Sequence, residues 1–257
     1  MNRTEIQELL EERYRMYVSS GFIETDPIQI PHLFTRPEDI EVAGLLTATF
    51  AWGNRTSIIK SARKLMSLMD DAPYDFLTQS SDEERKRLTQ FVYRTFNGND
   101  AFILASALTN FLKQHKTIGL YVQQQFGISQ NVKDVLASFR AELVRCGLEG
   151  HTLKHVADVS TGSAAKRLNM YFRWMVRPCE YHVDFGLWSE IPPSALYLPL
   201  DVHSGTIARQ LGLLSRKQND WRAVDEVTQV LRSFDPVDPI RFDFALFGLG
   251  AFAKREE

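Results

Sequence analysis

Apolar residues recur at helical spacing along almost the whole chain, and runs that alternate with period two are nearly absent. This pattern restricts the fold more than any other feature, because a helix-period sequence cannot present one clean face as a strand. Residues 3–19 repeat Ile6, Leu9, Leu10, Tyr14 and Tyr17 between charges. A linker with two prolines follows. Thr35 with Pro37 just inside reads as a helix start, and EDIEVAGLLTATFAWG is its body. That body is apolar almost all round, as expected of a buried central helix. Gly53 ends it, and Asn54 caps RTSIIKSARKLMSLMD. The segment 81–96 opens on Ser81 and acids and reads as one capped, solvated helix. NGND at 97–100 caps AFILASALTNFLKQHK. Helices are further expected over 117–126, in QNVKDVLASFRAELVRCG, in NDWRAVDEVTQVLRSF, and at the end in PIRFDFALFGLGAF. The one tempting strand, YLPLDV at 197–202, is interrupted by Pro199. The expectation is an all-α chain of roughly ten to twelve helices.

The length of 257 residues fits one large domain or two small lobes, with 44% hydrophobic and 24% charged residues. The net charge is −2, so any nucleic-acid site must be a local basic patch rather than a global field. Two cysteines, Cys146 and Cys179, are too few for a disulfide framework or an iron–sulfur cluster and suit a reducing cytoplasm. The charged start MNRTEIQELLEERY lacks the apolar core of a leader, and no run of about 18 apolar residues exists to span a membrane.

The stretch 160–214 carries the densest chemistry. Thr161-Gly162-Ser163-Ala164-Ala165-Lys166 is a short turn opening onto a helix, where free backbone N–H groups favour an anion such as phosphate. Asp201 opens the next helix. A lysine and a carboxylate brought together there can do acid–base or covalent chemistry. Lys166, Arg173 and Arg177 share roughly one helix face, the best local basic patch in the chain, and Arg167 lies on the same helix. Trp174, Tyr181, Phe185, Trp188 and Tyr197 lie close by in sequence.

The glycine four residues before Lys166, and the small residue two before it, resemble the helix-hairpin-helix of a DNA glycosylase superfamily. Pro199-Leu200-Asp201-Val202-His203 looks like that superfamily's proline-valine-aspartate-threonine-histidine signature, and TIARQLGLL resembles the helix after it. LLTATFAWGNRTSIIKSARKL and EVTQVLRSFDPVDPIRFDFALFGLG are similar to its early and closing helices, so the likeness covers roughly 35–250. KRLNMYFRWMVR and DPIRFDFALFGLG also resemble a bacterial family described only as a domain of unknown function.

The superfamily resemblance implies two helical lobes, one of residues 1–35 with 180–257 and one of 36–179. It implies a DNA base-excision glycosylase, or glycosylase/lyase, acting on a flipped base without metal or cofactor. Lys166 and Asp201 are then catalytic. Gly162, Ser163, Ala164, Arg167, Arg173, Arg177, Asn54 and Arg55 meet DNA. Trp174, Trp188 and His203 line the base pocket. The sequence departs from the pattern: the second hairpin glycine is Ala164, which cannot take positive φ cheaply, no leucine-proline precedes Gly162, the segment before Asp201 is long, and no cysteine cluster follows it.

The residues alone leave structural alternatives open. Lys166 can be a solvated first-turn lysine, and Asp201 can simply cap its helix. The tryptophans can be core, Arg173 and Arg177 a salt-bridged surface, and Asp184 a surface-loop acid. Asp235, Asp238 and Asp243 read as caps for the last helices. His151 and His155 stand four apart like a helical metal pair, but no third ligand is evident, so no metal is expected. Two rival functions stand beside the glycosylase: a non-catalytic nucleic-acid-binding module, with RNA as well as DNA open, and an enzyme on a small nucleoside-like substrate.

Overall fold

A computed structural model describes residues 1–178 and 182–252. Cys179 and Tyr181 lie outside the described residues. Among those residues there is no strand, only α-helices and short 3-10 turns. In chain order the α-helices are α1 (Arg3–Tyr17), α2 (Ser20–Thr25), α3 (Pro37–Thr49), α4 (Arg55–Ser67), α5 (Pro73–Gln79), α6 (Asp82–Arg85), α7 (Gly98–His115), α8 (Ile118–Ser129), α9 (Val132–Arg145), α10 (Lys166–Val176), α11 (Val202–Gln210), α12 (Trp221–Phe234) and α13 (Phe242–Phe252). None is long and apolar enough to cross a membrane.

The chain divides into two compact units, 23–157 and 1–22 with 158–257. The divisions fall at 22/23 and 157/158, not at the expected 35/36 and 179/180. Helix α10 belongs with the C-terminal helices because its buried arginines pair with acids there.

In the unit 23–157, α3 is the central helix. Every residue from Ile40 to Thr49 is buried. Such burial forces the one acid of that stretch to find a donor, since an unpaired buried carboxylate is costly. Glu41 accepts the backbone N–H of Gly119 at 3.0 Å, in the first turn of α8, where a negative charge is favoured. Phe50 just beyond α3 packs against Phe91, Tyr93 and Phe96. That cluster explains why the expected helix over 81–96 breaks. After α6, capped by Ser81 and Glu84, the chain tightens into a 3-10 turn over Lys86–Gln90. Tyr93 and Phe96 then pair as an isolated bridge, which turns both rings inward.

Asn97 caps α7 with a reciprocal capping box to Asp100. Between them sits Gly98, where an added Cβ would lie 1.8 Å from the Thr89 carbonyl oxygen. The obstacle is backbone, so it cannot swing aside. Gly98→Ala is therefore expected to destabilise the protein by about 2–3 kcal/mol, the upper range for overpacking. A urea titration measures it. A loss below about 0.5 kcal/mol would mean that α7 and the 86–90 turn are not so closely packed.

In the unit 1–22 with 158–257, α1 lies along α13. Gly248 of α13 permits the approach, because a Cβ there would overlap the Tyr17 ring at 2.0 Å. Helix α13 also packs on α11. Helix α10 is buried from Leu168 to Val176. Two residues beyond it are tied to its last turn, with Phe185 N–H donating to the Trp174 carbonyl at 2.7 Å and Trp188 N–H to the Met175 carbonyl at 3.0 Å.

Candidate active site

The approach to Lys166 is built from turns. Asp158 caps the 3-10 turn Val159–Thr161 by accepting from Ser160 N–H at 3.0 Å. Gly162 then adopts the left-handed region, φ 89°. Its carbonyl accepts from Trp221 N–H at 2.9 Å, and Ser163 forms a bridge with Asp220, so the turn is tied to the start of α12. The element ahead of α10 is thus this 3-10 turn rather than an α-helix.

Ala164, the departure from the glycine pattern, does not carry the strained backbone. The left-handed residue is its neighbour Ala165, φ 46° and ψ 37°. An L-residue there costs about 1–2 kcal/mol. Burial of Ala165 holds it in place. Asn169 supports the turn by donating its side-chain amide to the Ala164 carbonyl at 3.1 Å. Lys166 follows as the first residue of α10, in a first turn that no side chain caps.

Asp201 arrives from a different direction. The segment before it is extended but unpaired as strand, with Leu198 N–H donating to Thr228 Oγ1 at 3.1 Å and both Leu198 and Leu200 buried. Those anchors fix where the chain turns into α11. Asp201 caps α11: its Oδ1 accepts from His203 N–H at 2.8 Å and Ser204 N–H at 2.9 Å, while its own N–H donates to Ser204 Oγ. The capping oxygen is Oδ1. The other oxygen, Oδ2, lies 3.8 Å from Lys166 Nζ. The side chains are 32% and 26% exposed, so the pair meets at a surface that solvent and a ligand can reach. Capping and pairing with the lysine therefore coexist on one carboxylate.

A residue that the sequence assigned to helix pinning lies under this pair. Asp243, in the first turn of α13, is buried, and burial pushes its carboxyl up; the Arg173 guanidinium opposes this, the Asp201 charge adds to it, and Lys166 opposes it. Asp243 accepts from Arg173. Arg173 also lies 3.4 Å from Asp184, which holds Arg177 at 3.0 Å. Arg177 in turn binds both oxygens of Asp238, at 2.9 and 2.8 Å, and Tyr14 Oη at 2.9 Å. Both guanidinium groups stack over Phe244.

This network corrects several expectations. Arg173 and Arg177 are 4% and 1% exposed, so they are buried counter-charges and cannot meet DNA phosphates. Asp184 is buried at their centre, not on a surface loop. Trp174 and Trp188 have no exposed surface. Trp188 packs edge-on against Tyr171 and Phe172, so both indoles are core rather than walls of a base pocket. Tyr197 is likewise buried, against Trp221.

The remaining candidates stay accessible. Gly162, Ser163, Ala164 and Arg167 are half-buried beside Lys166, and His203 is exposed one residue past the start of α11. Burial lowers the Arg167 guanidinium to about 10, which leaves it cationic at neutral pH. Asn54 and Arg55 belong to the other unit. Asn54 caps α4 by accepting from Ser57 N–H at 3.1 Å, and Arg55 pairs with Asp26 at 3.2 Å. Asp235 folds the chain before α13 by accepting from Val237 and Asp238 N–H, each at 2.9 Å, as its reading as a cap requires.

Fold and site together define an all-α protein with a part-exposed lysine–carboxylate pair at the starts of two helices. The chain belongs to the protein family DUF2400, described as a protein of unknown function, which it matches over residues 26–252. No match was found among curated proteins or among solved structures.

Proposed function

We propose that this protein is a DNA base-excision glycosylase with lyase capacity, in which Lys166 is the nucleophile and Asp201 the electrostatic partner. The observation that carries this reading is the 3.8 Å approach of Lys166 Nζ to Asp201 Oδ2 at a reachable surface, by residues far apart in sequence. A flipped nucleotide is the substrate. The glycosidic bond breaks with its electron pair leaving on the base. The positive charge developing on the sugar is stabilised by Asp201. Lys166 hands its ammonium proton to the departing base, the freed amine adds its lone pair to C1′ and loses a second proton, and ring opening, with O4′ taking up a proton, gives an iminium adduct. The helix start at 162–166 with Arg167 supplies the anion-binding edge for the flanking phosphate.

The inward position of Arg173 and Arg177 favours one alternative, a nucleoside-sized substrate at the same pair, because the basic surface around it is smaller than the sequence suggested. One experiment separates the readings. The protein is incubated with borohydride and a panel of duplexes carrying oxidised, alkylated, deaminated or abasic sites, and in parallel with the free nucleosides. Borohydride reduces the iminium to a stable amine. An adduct with duplex that disappears in Lys166→Gln supports the glycosylase/lyase. Base release from free nucleosides alone supports the small substrate. Salt-sensitive duplex binding with neither product would leave a binding module and overturn the catalytic reading.

A further inference from the structure

The third ligand that the sequence does not supply for His151 and His155 comes from Asp100. One ligand-capable atom from each of these three residues lies within 4.8 Å of the other two. Asp100 sits in the first turn of α7, fully buried. The two histidines come from the 3-10 turn Gly150–His155, which packs on α7. We propose that Asp100, His151 and His155 form a binding site for a divalent first-row transition ion of the zinc class.

The donor set argues for this ion class. Two imidazoles and one carboxylate suit zinc and ferrous iron, and three protein ligands leave a position open for water or substrate. Hard ions such as magnesium prefer oxygen alone and hold their waters. The spacing fits as well. His151 Nδ1 is 2.8 Å from Asp100 Oδ1, and His155 Nε2 is 3.5 Å from Asp100 Oδ2. Ligand atoms on a tetrahedral zinc, at about 2.0–2.2 Å from it, stand about 3.3–3.6 Å apart. The His155 distance falls within that range; the His151 distance is the shorter one of a hydrogen bond, and His151, which is exposed, has room to move outward.

The surroundings are those of a built site. Both carboxylate oxygens are oriented by other donors: Oδ1 accepts from the buried Thr152 hydroxyl at 2.9 Å, and Oδ2 from Asn97 N–H at 2.9 Å. Burial alone raises the Asp100 carboxyl, but the hydrogen bonds from His151, Asn97 and Thr152 and the nearby His155 outweigh it and hold it below its ordinary range. The His155 ring is fixed between Trp52, stacked at 5.6 Å, and Phe96, edge-on at 4.9 Å. Such outer contacts orient a metal-bound imidazole and contribute to affinity. Asp100 and His155 are buried while His151 faces solvent, so the ion has a way in.

Lys154 gives the proposal a second handle. Its exposed ammonium donates to His151 Nε2. That hydrogen bond places the ring proton on Nδ1, facing Asp100. When Nδ1 takes a metal, the proton moves to Nε2, and Lys154 loses its acceptor and is displaced. Lys154 therefore opposes metal binding through its charge and through the tautomer it selects.

The test uses the full, untagged chain freed of metal with a chelator and titrated calorimetrically with zinc, with magnesium as the hard-ion control. The expected result is one zinc per chain, a raised Tm, and visible ligand-field bands when cobalt replaces zinc. His151→Gln, at an exposed position, should weaken zinc by about 100-fold or more, at or above the loss seen when an outer partner is removed. Lys154→Gln should tighten it by about fivefold, the size of one solvent-screened like charge at close range. His32→Gln should change nothing. Absence of zinc binding by the wild-type chain, or affinity that is the same in His151→Gln and Lys154→Gln as in the wild type, overturns the proposal. Neither outcome depends on whether Lys166 and Asp201 are catalytic.

Discussion

Asp184→Asn is expected to destabilise the protein by about 3–5 kcal/mol, the cost of leaving buried cations without their counter-charge. Asp184 has no exposed side-chain surface and stands between two guanidinium groups, at 3.4 Å from Arg173 and 3.0 Å from Arg177. Asparagine keeps the volume but removes the charge that both arginines share. Each arginine retains one further acid, Asp243 or Asp238, so the network does not empty. Those acids already engage one guanidinium each, so neither stands in for the charge that Asp184 places between the two. A surface pair sets the comparison. Lys86–Glu83 is 60% and 80% exposed. Removing it should cost far less, because water screens an exposed pair. Urea denaturation of the two variants side by side measures the difference. An Asp184→Asn loss no larger than that of Glu83→Gln would mean that water reaches the network and relieves it.

The same network explains what the sequence could and could not show. Helix caps were legible because they are local: Asn54, Ser81, Asn97 and Asp201 each find their N–H donors within three residues. The burial of α3 was legible because its body is apolar almost all round. The orientation of α10 was not. Lys166, Arg173 and Arg177 do share a face, but that face runs from a half-exposed first turn to a sealed last one. What seals it are acids 61 and 70 residues downstream, at 238 and 243, and a sequence with charges at i and i+4 reads the same whether it meets water or buried carboxylates. Distance in the chain hid Asp100 from the histidine pair in the same way, 51 residues before His151. The pairing of Lys166 with Asp201 is also long-range. It was reached through a resemblance of motifs and not through spacing.

Asp201→Asn is the variant that separates chemistry from architecture at the proposed site. Asparagine caps a helix about as well as aspartate, and its side-chain oxygen can still accept from His203 and Ser204 N–H. Only the ion pair between Oδ2 and Lys166 disappears, and both of its groups are part-exposed. Stability should therefore fall by no more than about 1 kcal/mol. The charge that stabilises the developing cation would be gone, and base release should drop by about 10²–10³-fold, the range for removing one electrostatic stabiliser of a transition state. Asp201→Ala should show a comparable loss of activity together with a further cost of about 1 kcal/mol for the missing cap. Thermal unfolding and single-turnover base release measured on both variants place Asp201 on one side or the other. If asparagine preserves base release while alanine loses it in proportion to stability, the carboxylate is a helix cap and Lys166 must act without it. If asparagine loses base release and keeps its Tm, the charge on Oδ2 is the functional feature, and the capping bonds to Oδ1 serve to aim it.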